Sequence, residues 1–247
     1  MGTQSKIEWT EQTWNPVTGC TKVSPGCKHC YAETMAHRLK AMGTAGYENG
    51  FKLSLMPERL GQPLQRRKPT MYFVNSMSDL FHEDIPFEYI DQVMQVIKQT
   101  PQHTYQILTK RAERMAEYYS SRPIPNNIWQ GVTVEDRAYG VPRIDALRKV
   151  NARIRFLSVE PLLEDIGKIN LEGIHWVIVG GESGAKARPM EEDWVLAIQQ
   201  QCEKQNSAFF FKQWGTWGAD GKKRNKHANG RSLQGRQWNA YPNEAIQ

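Results

Sequence analysis

Cysteine is scarce in this 247-residue chain: there are four, three of them within eleven residues, and the fourth, Cys202, stands alone. Thiols so few and so unevenly placed exclude a disulfide framework and make metal binding the better reading of the group. Long apolar runs are missing too. None approaches the ~20 residues that span a bilayer, and Met1-Gly2-Thr3-Gln4-Ser5-Lys6 has no apolar stretch suited to a signal sequence. The expectation is a cytoplasmic protein with no membrane partner. Internal repeats, low-complexity tracts and long linkers are absent before about residue 215, so one architecture should run over residues 1–214, with 215–247 as an appendage. What is present suffices for a core: 39% hydrophobic and 10% aromatic residues. Lys and Arg number 32 against 26 acidic residues, and the net charge of +6 is a modest bias toward polyanionic partners.

Short apolar runs rich in β-branched and aromatic residues recur at Met71–Val74, Tyr105–Leu108, Ile128–Val132, Ile154–Val159, Trp176–Val179 and Phe209–Phe211, and they predict buried strands. A first strand is expected near Thr13–Thr18. Between the runs lie segments with helical spacing, such as Phe87–Gln99 and Asp193–Gln205. The alternation predicts an α/β fold with about six to seven mainly parallel strands, in a sheet either open or closed into a barrel. Polar residues close each strand run: Asn75, Ser76, Ser78 and Asp79; Thr109, Lys110 and Arg111; Thr133, Glu135 and Asp136; Ser158 and Glu160; Gly180, Gly181 and Glu182; Lys212 and Trp214. In parallel α/β folds the site lies at those carboxyl ends.

The segment from Gly19 to Tyr31 spaces its thiols C-x6-C-x2-C, at Cys20, Cys27 and Cys30. Thiolates are soft ligands that suit zinc or an iron–sulfur cluster. Structural zinc wants four protein ligands, usually in two pairs, and no second Cys-x-x-Cys follows. His29, His37 and Cys202 remain as fourth ligands, although Cys202 falls on the apolar face of a predicted helix, where a buried structural thiol is the plainer reading. A three-cysteine cubane leaves one iron open. On the residues alone both metals stand.

The stretches Trp14-Asn15-Pro16-Val17-Thr18-Gly19-Cys20, Ser24-Pro25-Gly26-Cys27, Cys30-Tyr31-Ala32-Glu33, Leu108-Thr109-Lys110-Arg111, Ser158-Val159-Glu160-Pro161-Leu162 and Gly180-Gly181-Glu182-Ser183-Gly184 resemble a three-cysteine family of phages and bacteria. That family looks like a compact branch of the radical S-adenosylmethionine (SAM) superfamily, similar in general plan to spore photoproduct lyase. The resemblance implies a partial (β/α) barrel, a [4Fe-4S] cluster on Cys20, Cys27 and Cys30, SAM chelated by the free iron, and reductive cleavage to methionine and a 5′-deoxyadenosyl radical. It also implies an electron donor such as flavodoxin or ferredoxin. Two departures stand out. The superfamily spacing is usually C-x3-C-x2-C, and the residue before the third cysteine is usually aromatic, where this chain has His29.

Cofactor contacts are expected at the strand ends. Asn75, Ser76, Ser78 and Asp79 are candidates for the SAM amino group, since the Gly-Gly-Glu usual at that strand is missing and Gly180-Gly181-Glu182 occurs much later. Glu135 and Glu160 suit ribose hydroxyls, and Ser158, Gly180, Gly181 and Glu182 complete the set. For each carboxylate the alternative is an ion pair with a neighbouring Lys or Arg; for the glycines it is a tight turn.

From 212 to 238 the composition changes. Lys212, Lys222, Lys223, Arg224, Lys226, Arg231 and Arg236 oppose only Asp220, with Trp214, Trp217 and Trp238 interleaved. Cations with stacking faces point to nucleic acid as the expected substrate, against a solvated basic tail whose tryptophans pack inward. Three functions therefore compete: a radical SAM enzyme modifying or repairing a nucleic-acid base, with a DNA photolesion as its sharpest form; the same chemistry on a protein or small molecule; and a zinc-bound nucleic-acid-binding module without catalysis.

Overall fold

The computed structural model describes Ser5 and residues 7–242. Met1, Gly2, Thr3, Gln4 and Lys6, on which the reading of the N-terminus rests, lie outside the described residues, as do the last five of the C-terminal segment. The described strands are β1 (Gln12–Trp14), β2 (Val17–Thr18), β3 (Ser54–Leu55), β4 (Met71–Val74), β5 (Thr104–Thr109), β6 (Ile128–Thr133), β7 (Ile154–Val159), β8 (Trp176–Gly180) and β9 (Ala208–Gln213). The helices are α1 (Tyr31–Ala41), α2 (Phe87–Gln99), α3 (Ala112–Ser120), α4 (Arg143–Arg148), α5 (Glu192–Lys204) and α6 (Lys226–Asn229). Seven strands form one sheet in the order β1-β4-β5-β6-β7-β8-β9, and the pairs β1–β4, β4–β5, β7–β8 and β8–β9 are parallel. This is the α/β class and strand number that the alternating runs predict.

The sequence of each element accounts for its form. All residues of β6 and β8 are buried, as strands covered on both faces require, and this is why they read as unbroken apolar runs. Helix α2 buries Tyr89, Ile90, Val93, Met94, Val96 and Ile97 on one side. It ends at Thr100, whose Oγ1 turns back onto the Val96 carbonyl at 2.8 Å. The expected first strand, Thr13–Thr18, is interrupted. Pro16 has no N–H to give a ladder, and its carbonyl accepts instead from Met56 N at 2.9 Å and from Tyr89 Oη at 2.7 Å. Residues 17–18 then pair with 54–55, antiparallel, in a separate two-stranded sheet.

Contacts divide the chain into two compact units, residues 1–23, 30–130 and 149–153 in the first and 24–29, 131–148 and 154–247 in the second. The first is centred on Trp14, Tyr72 and Tyr105, with the Tyr72 and Tyr105 rings stacked at 5.5 Å. In the second, Phe156, Trp176 and Phe210 meet at ring separations of 5.7 and 5.9 Å. Each such fully buried aromatic contributes on the order of 1.5–3 kcal/mol. The segment from residue 215 packs within the second unit: Phe211 N donates to Trp238 O at 2.9 Å and Trp176 Nε1 to Ala240 O at 2.8 Å. No helix among the described residues is long and apolar enough to cross a membrane.

Gly131, inside β6, faces the Phe156 ring so closely that an added Cβ would lie 2.4 Å from Cζ. Gly131→Ala should therefore lower stability by about 1–3 kcal/mol in chemical denaturation, and adding Phe156→Leu should recover part of the loss. A double variant no better than Gly131→Ala alone would show that the ring is not the obstacle.

Candidate functional site

The loop after β4 is built by its own polar side chains. Asn75 takes a positive φ of 59°, and its Oδ1 accepts from Val17 N at 3.3 Å, while Nδ2 is buried without a protein partner. Ser76 Oγ donates to Asn15 Oδ1 at 3.2 Å and Ser78 Oγ to Val17 O at 2.9 Å. Asp79 is buried and engages both oxygens: Oδ1 accepts from Phe81 N and Thr109 Oγ1, and Oδ2 from Lys110 N and Arg111 Nη1, at 2.7 to 3.2 Å. Of these candidate SAM contacts, Asp79 is the one that meets Arg111.

Arg111 reaches the first cysteine. Its Nη1 stands 3.5 Å from Cys20 Sγ, its Nη2 donates to Thr21 Oγ1 at 2.8 Å, and its Nε donates to Glu83 Oε2 at 2.6 Å. Burial works against the Arg111 charge, but Asp79, Glu83 and the Cys20 sulfur outweigh it and raise its pKa. In return the guanidinium holds the Glu83 carboxyl down at about 2. His82 is fully buried; burial first, and Arg111 second, lower its pKa. Its Nδ1 accepts from Asp84 N at 3.1 Å, which leaves the proton on Nε2, 2.9 Å from Thr21 Oγ1.

In the second unit the turn that carries Cys27 lies against the ends of β6 and β8. Ser24 Oγ donates to Glu135 Oε1, His29 Nδ1 stands 3.2 Å from Glu182 Oε2, and Arg188 Nη1 donates to Pro25 O at 3.1 Å. Glu135 is 0% exposed and pairs with Arg143, whose Nη1 lies 2.5 Å from Oε2. Glu182 receives Arg188 at both oxygens, 2.6 and 3.0 Å, and the Arg188 backbone N–H at 2.8 Å. Burial alone would raise the Glu182 carboxyl, but Arg188 and His29 prevail and its pKa is lowered. Glu160 pairs with Lys212 at 2.6 Å, with Ser158 Oγ 3.4 Å away. Glu135, Glu160 and Glu182 each sit in an ion pair with an Arg or Lys, as does Asp79. Gly181 has a packing reason as well, since a Cβ there would fall 1.9 Å from the Trp214 carbonyl oxygen; one on Gly180 would meet Glu160 Oε2 at 3.2 Å.

The basic segment sorts its tryptophans. Trp214, expected as a stacking face, is 2% exposed, edge-on to Phe211, with Nε1 donating to Ser232 O at 2.8 Å. It is core, because an indole this size covers the end of β9. Trp217 and Trp238 are half-buried, with Lys223 5.7 Å above the first ring and Arg236 3.5 Å above the second. Lys222, Lys223, Arg224 and Arg236 are exposed and Lys226 half-exposed; Arg224 is paired with Asp220, and Arg231 lies over the Phe210 ring.

Among the described residues no group of three or more His, Cys, Asp or Glu side chains is gathered as a metal site. The chemistry of the donor set fits an iron–sulfur cluster nonetheless. Cys20, Cys27 and Cys30 are part-exposed thiols outside any disulfide, and a guanidinium stands on one of them, as suits an anionic thiolate ligand. Cys202 is buried in α5, and burial pushes its thiol up to about 12, the mark of a structural cysteine. Arg143 and Arg188 escaped the sequence reading, and Arg111 entered it only as a strand-end residue and as part of the Leu108-Thr109-Lys110-Arg111 stretch. A conspicuous carboxylate a few residues upstream was the one signal for the first two.

The family described as "Protein of unknown function (DUF5131)" matches residues 4–242. None of the curated proteins matches. Among solved structures, a cysteine-to-serine variant of spore photoproduct lyase superposes with a TM-score of 0.53 at 15% identity, over 83% of this chain and 64% of that one. Spore photoproduct lyase complexed with dinucleoside spore photoproduct, and a variant with bound AdoMet and the same dinucleoside, give 0.46 and 0.47 at 14% and 13% identity. The chain spans less than two thirds of the length of these lyase chains, 64%. The likeness at 0.53 shows the fold, an α/β partial barrel of seven parallel strands.

Exposure separates the thiols. In metal-free native protein, iodoacetamide should label Cys20, Cys27 and Cys30 and leave Cys202 unlabelled until denaturant is added. Labelling of Cys202 at a rate equal to the other three, read by peptide mass spectrometry, would contradict its structural role.

Proposed function

Because the chain belongs to the family described as "Protein of unknown function (DUF5131)", its activity has to be read from its own residues, and we propose that it is a radical SAM enzyme. Cys20, Cys27 and Cys30 hold a [4Fe-4S] cluster, SAM binds at the strand ends, and the substrate is a nucleic-acid base, most sharply a DNA photolesion. The observation that carries the reading is three part-exposed thiols outside any disulfide within eleven residues, on a fold that is like that of spore photoproduct lyase. When cluster and SAM are bound, the chemistry supplied is one-electron reductive cleavage to methionine and a 5′-deoxyadenosyl radical that abstracts hydrogen.

The chain's own residues do the rest. Arg111 sets a fixed positive charge on Cys20, which offsets the charge a thiolate brings. Asp79 and Glu83 hold that guanidinium in place. At the end of β7, Glu160 keeps one oxygen on Lys212 and leaves acceptor capacity for a ribose hydroxyl. The exposed cations of residues 222–236, with the half-buried rings of Trp217 and Trp238, support a polyanionic substrate. The electron comes from an external donor of the flavodoxin or ferredoxin kind.

Anaerobically reconstituted protein should show the broad brown absorbance of a [4Fe-4S] cluster and, once reduced, release 5′-deoxyadenosine from SAM. Replacing any of Cys20, Cys27 or Cys30 by Ala should abolish both, and Cys202→Ala neither. Stoichiometric zinc without iron after anaerobic purification would leave the binding-module reading.

Nucleic-acid binding is read from its salt dependence. Neutralising Lys222, Lys223 and Arg224 together should reduce the log–log slope of affinity against salt by about two to three, nearer two because Arg224 already pairs with Asp220. Absence of any affinity for DNA or RNA at low salt, with no nucleic acid stimulating 5′-deoxyadenosine release, would turn the reading to a protein or small-molecule substrate.

A further inference from the structure

The turn that presents Cys27 has no hydrophobic anchor. It is a single 3-10 turn over Pro25–Cys27 with no buried residue, closed by Cys27 N to Ser24 O at 2.9 Å and Lys28 N to Pro25 O at 3.2 Å. Ordering such a segment, set in a six-residue gap after Cys20, costs roughly 1–2 kcal/mol of backbone entropy per residue. Polar contacts have to offset that cost. They come from the residues on either side of the cysteine: Ser24 ends on Glu135, His29 on Glu182, and the Pro25 carbonyl on Arg188. Gly26 lies so close that an added Cβ would stand 3.1 Å from Cγ and Oε1 of Glu135.

Neither carboxylate is free to wander. Glu135 is buried under Arg143, which also donates to Thr133 O at 2.7 Å, and Glu182 is held at both oxygens by Arg188. The strands just before them, β6 and β8, are buried throughout. A ligand-bearing turn fastened to groups this rigid is the arrangement that outer-shell partners of a metal ligand supply.

We propose that Glu135 and Glu182 are positioning residues for Cys27: through Ser24 and His29 they hold the turn in the shape in which its thiolate can serve as a metal ligand. The proposal rests on the reading of Cys27 as a ligand, and it gives these two carboxylates a task other than contact with SAM.

The test uses metal-free full-length protein and the iodoacetamide labelling rate of each cysteine, followed by iron content after reconstitution. Ser24→Ala removes the contact to Glu135 from the loop side, together with the 3.8 Å approach of Ser24 Oγ to Cys27 Sγ, and leaves the Glu135–Arg143 pair intact; Glu182→Gln weakens the second contact without touching Ser24; Ser24→Thr keeps the hydroxyl. Loss of one such hydrogen bond should raise the labelling rate at Cys27 by about two- to tenfold, with Cys20 and Cys30 unchanged, Ser24→Thr near wild type, and reduced iron retention in the first two variants. A Cys27 rate that stays at the wild-type value, or a rise shared equally by all three thiols, overturns the proposal. If wild-type protein takes up no iron while Cys27 alone is labelled faster in Ser24→Ala, the cluster reading fails and the positioning of Cys27 stands.

Discussion

The Glu135 carboxyl has no exposed surface, and the Arg143 guanidinium is laid on it, with the Ser24 hydroxyl on Oε1. Removing one partner of such a buried pair costs about 3–5 kcal/mol, because the other charge is left in a medium that cannot solvate it. The pair sits at the end of β6 and fixes an acceptor there, and the turn bearing Cys27 is fastened to that acceptor through Ser24. Strand, ion pair, serine and cysteine thus form one chain of dependence, running from core packing to the placement of a thiol. Glu182 and Arg188 repeat the device at the end of β8, with His29 in the serine's place.

A different charge pattern surrounds Cys20. There the group nearest the sulfur is a guanidinium, and the carboxylates of Asp79 and Glu83 stand behind it. A buried arginine with two carboxylate partners keeps its orientation as well as its charge, so the positive end offered to the sulfur is fixed before any ligand arrives. Thr21 and His82 complete the polar network: neutral His82 donates to Thr21 Oγ1, which in turn donates to Glu83 Oε1 at 3.1 Å. Carboxylates brace the segment that bears Cys27, and an arginine attends Cys20.

The C-terminal segment combines two tasks that composition alone runs together. Trp214 and the chain near Trp238 and Ala240 close the end of the second unit's core, through hydrogen bonds to backbone carbonyls and edge-on ring contacts. The cations remain outside. The charged ends of Arg236 and Lys223 lie over the rings of Trp238 and Trp217, and Lys223 Nζ also donates to Ala185 O at 2.6 Å. A basic surface braced on half-buried indoles is stiffer than a free tail of equal charge.

The sequence by itself determined the strands of the seven-stranded sheet, the two long helices and the clustering of three thiols. A strand buried on both faces has to be apolar along its whole length and a helix on a sheet has to be apolar every third or fourth residue, so runs such as Trp176–Val179 speak for themselves, and the closeness of Cys20, Cys27 and Cys30 is visible in their spacing. The break at Pro16 was legible in principle, from its missing N–H, but the pairing of 17–18 with 54–55 was not. Only the tertiary structure decided which charges meet. Arg143 lies 8 residues from Glu135, Arg111 lies 32 from Asp79, Ser24 lies 111 from Glu135 and His29 lies 153 from Glu182. A carboxylate accepts any donor the fold brings within about 3 Å, and that choice depends on where strands end in space, which no local pattern encodes.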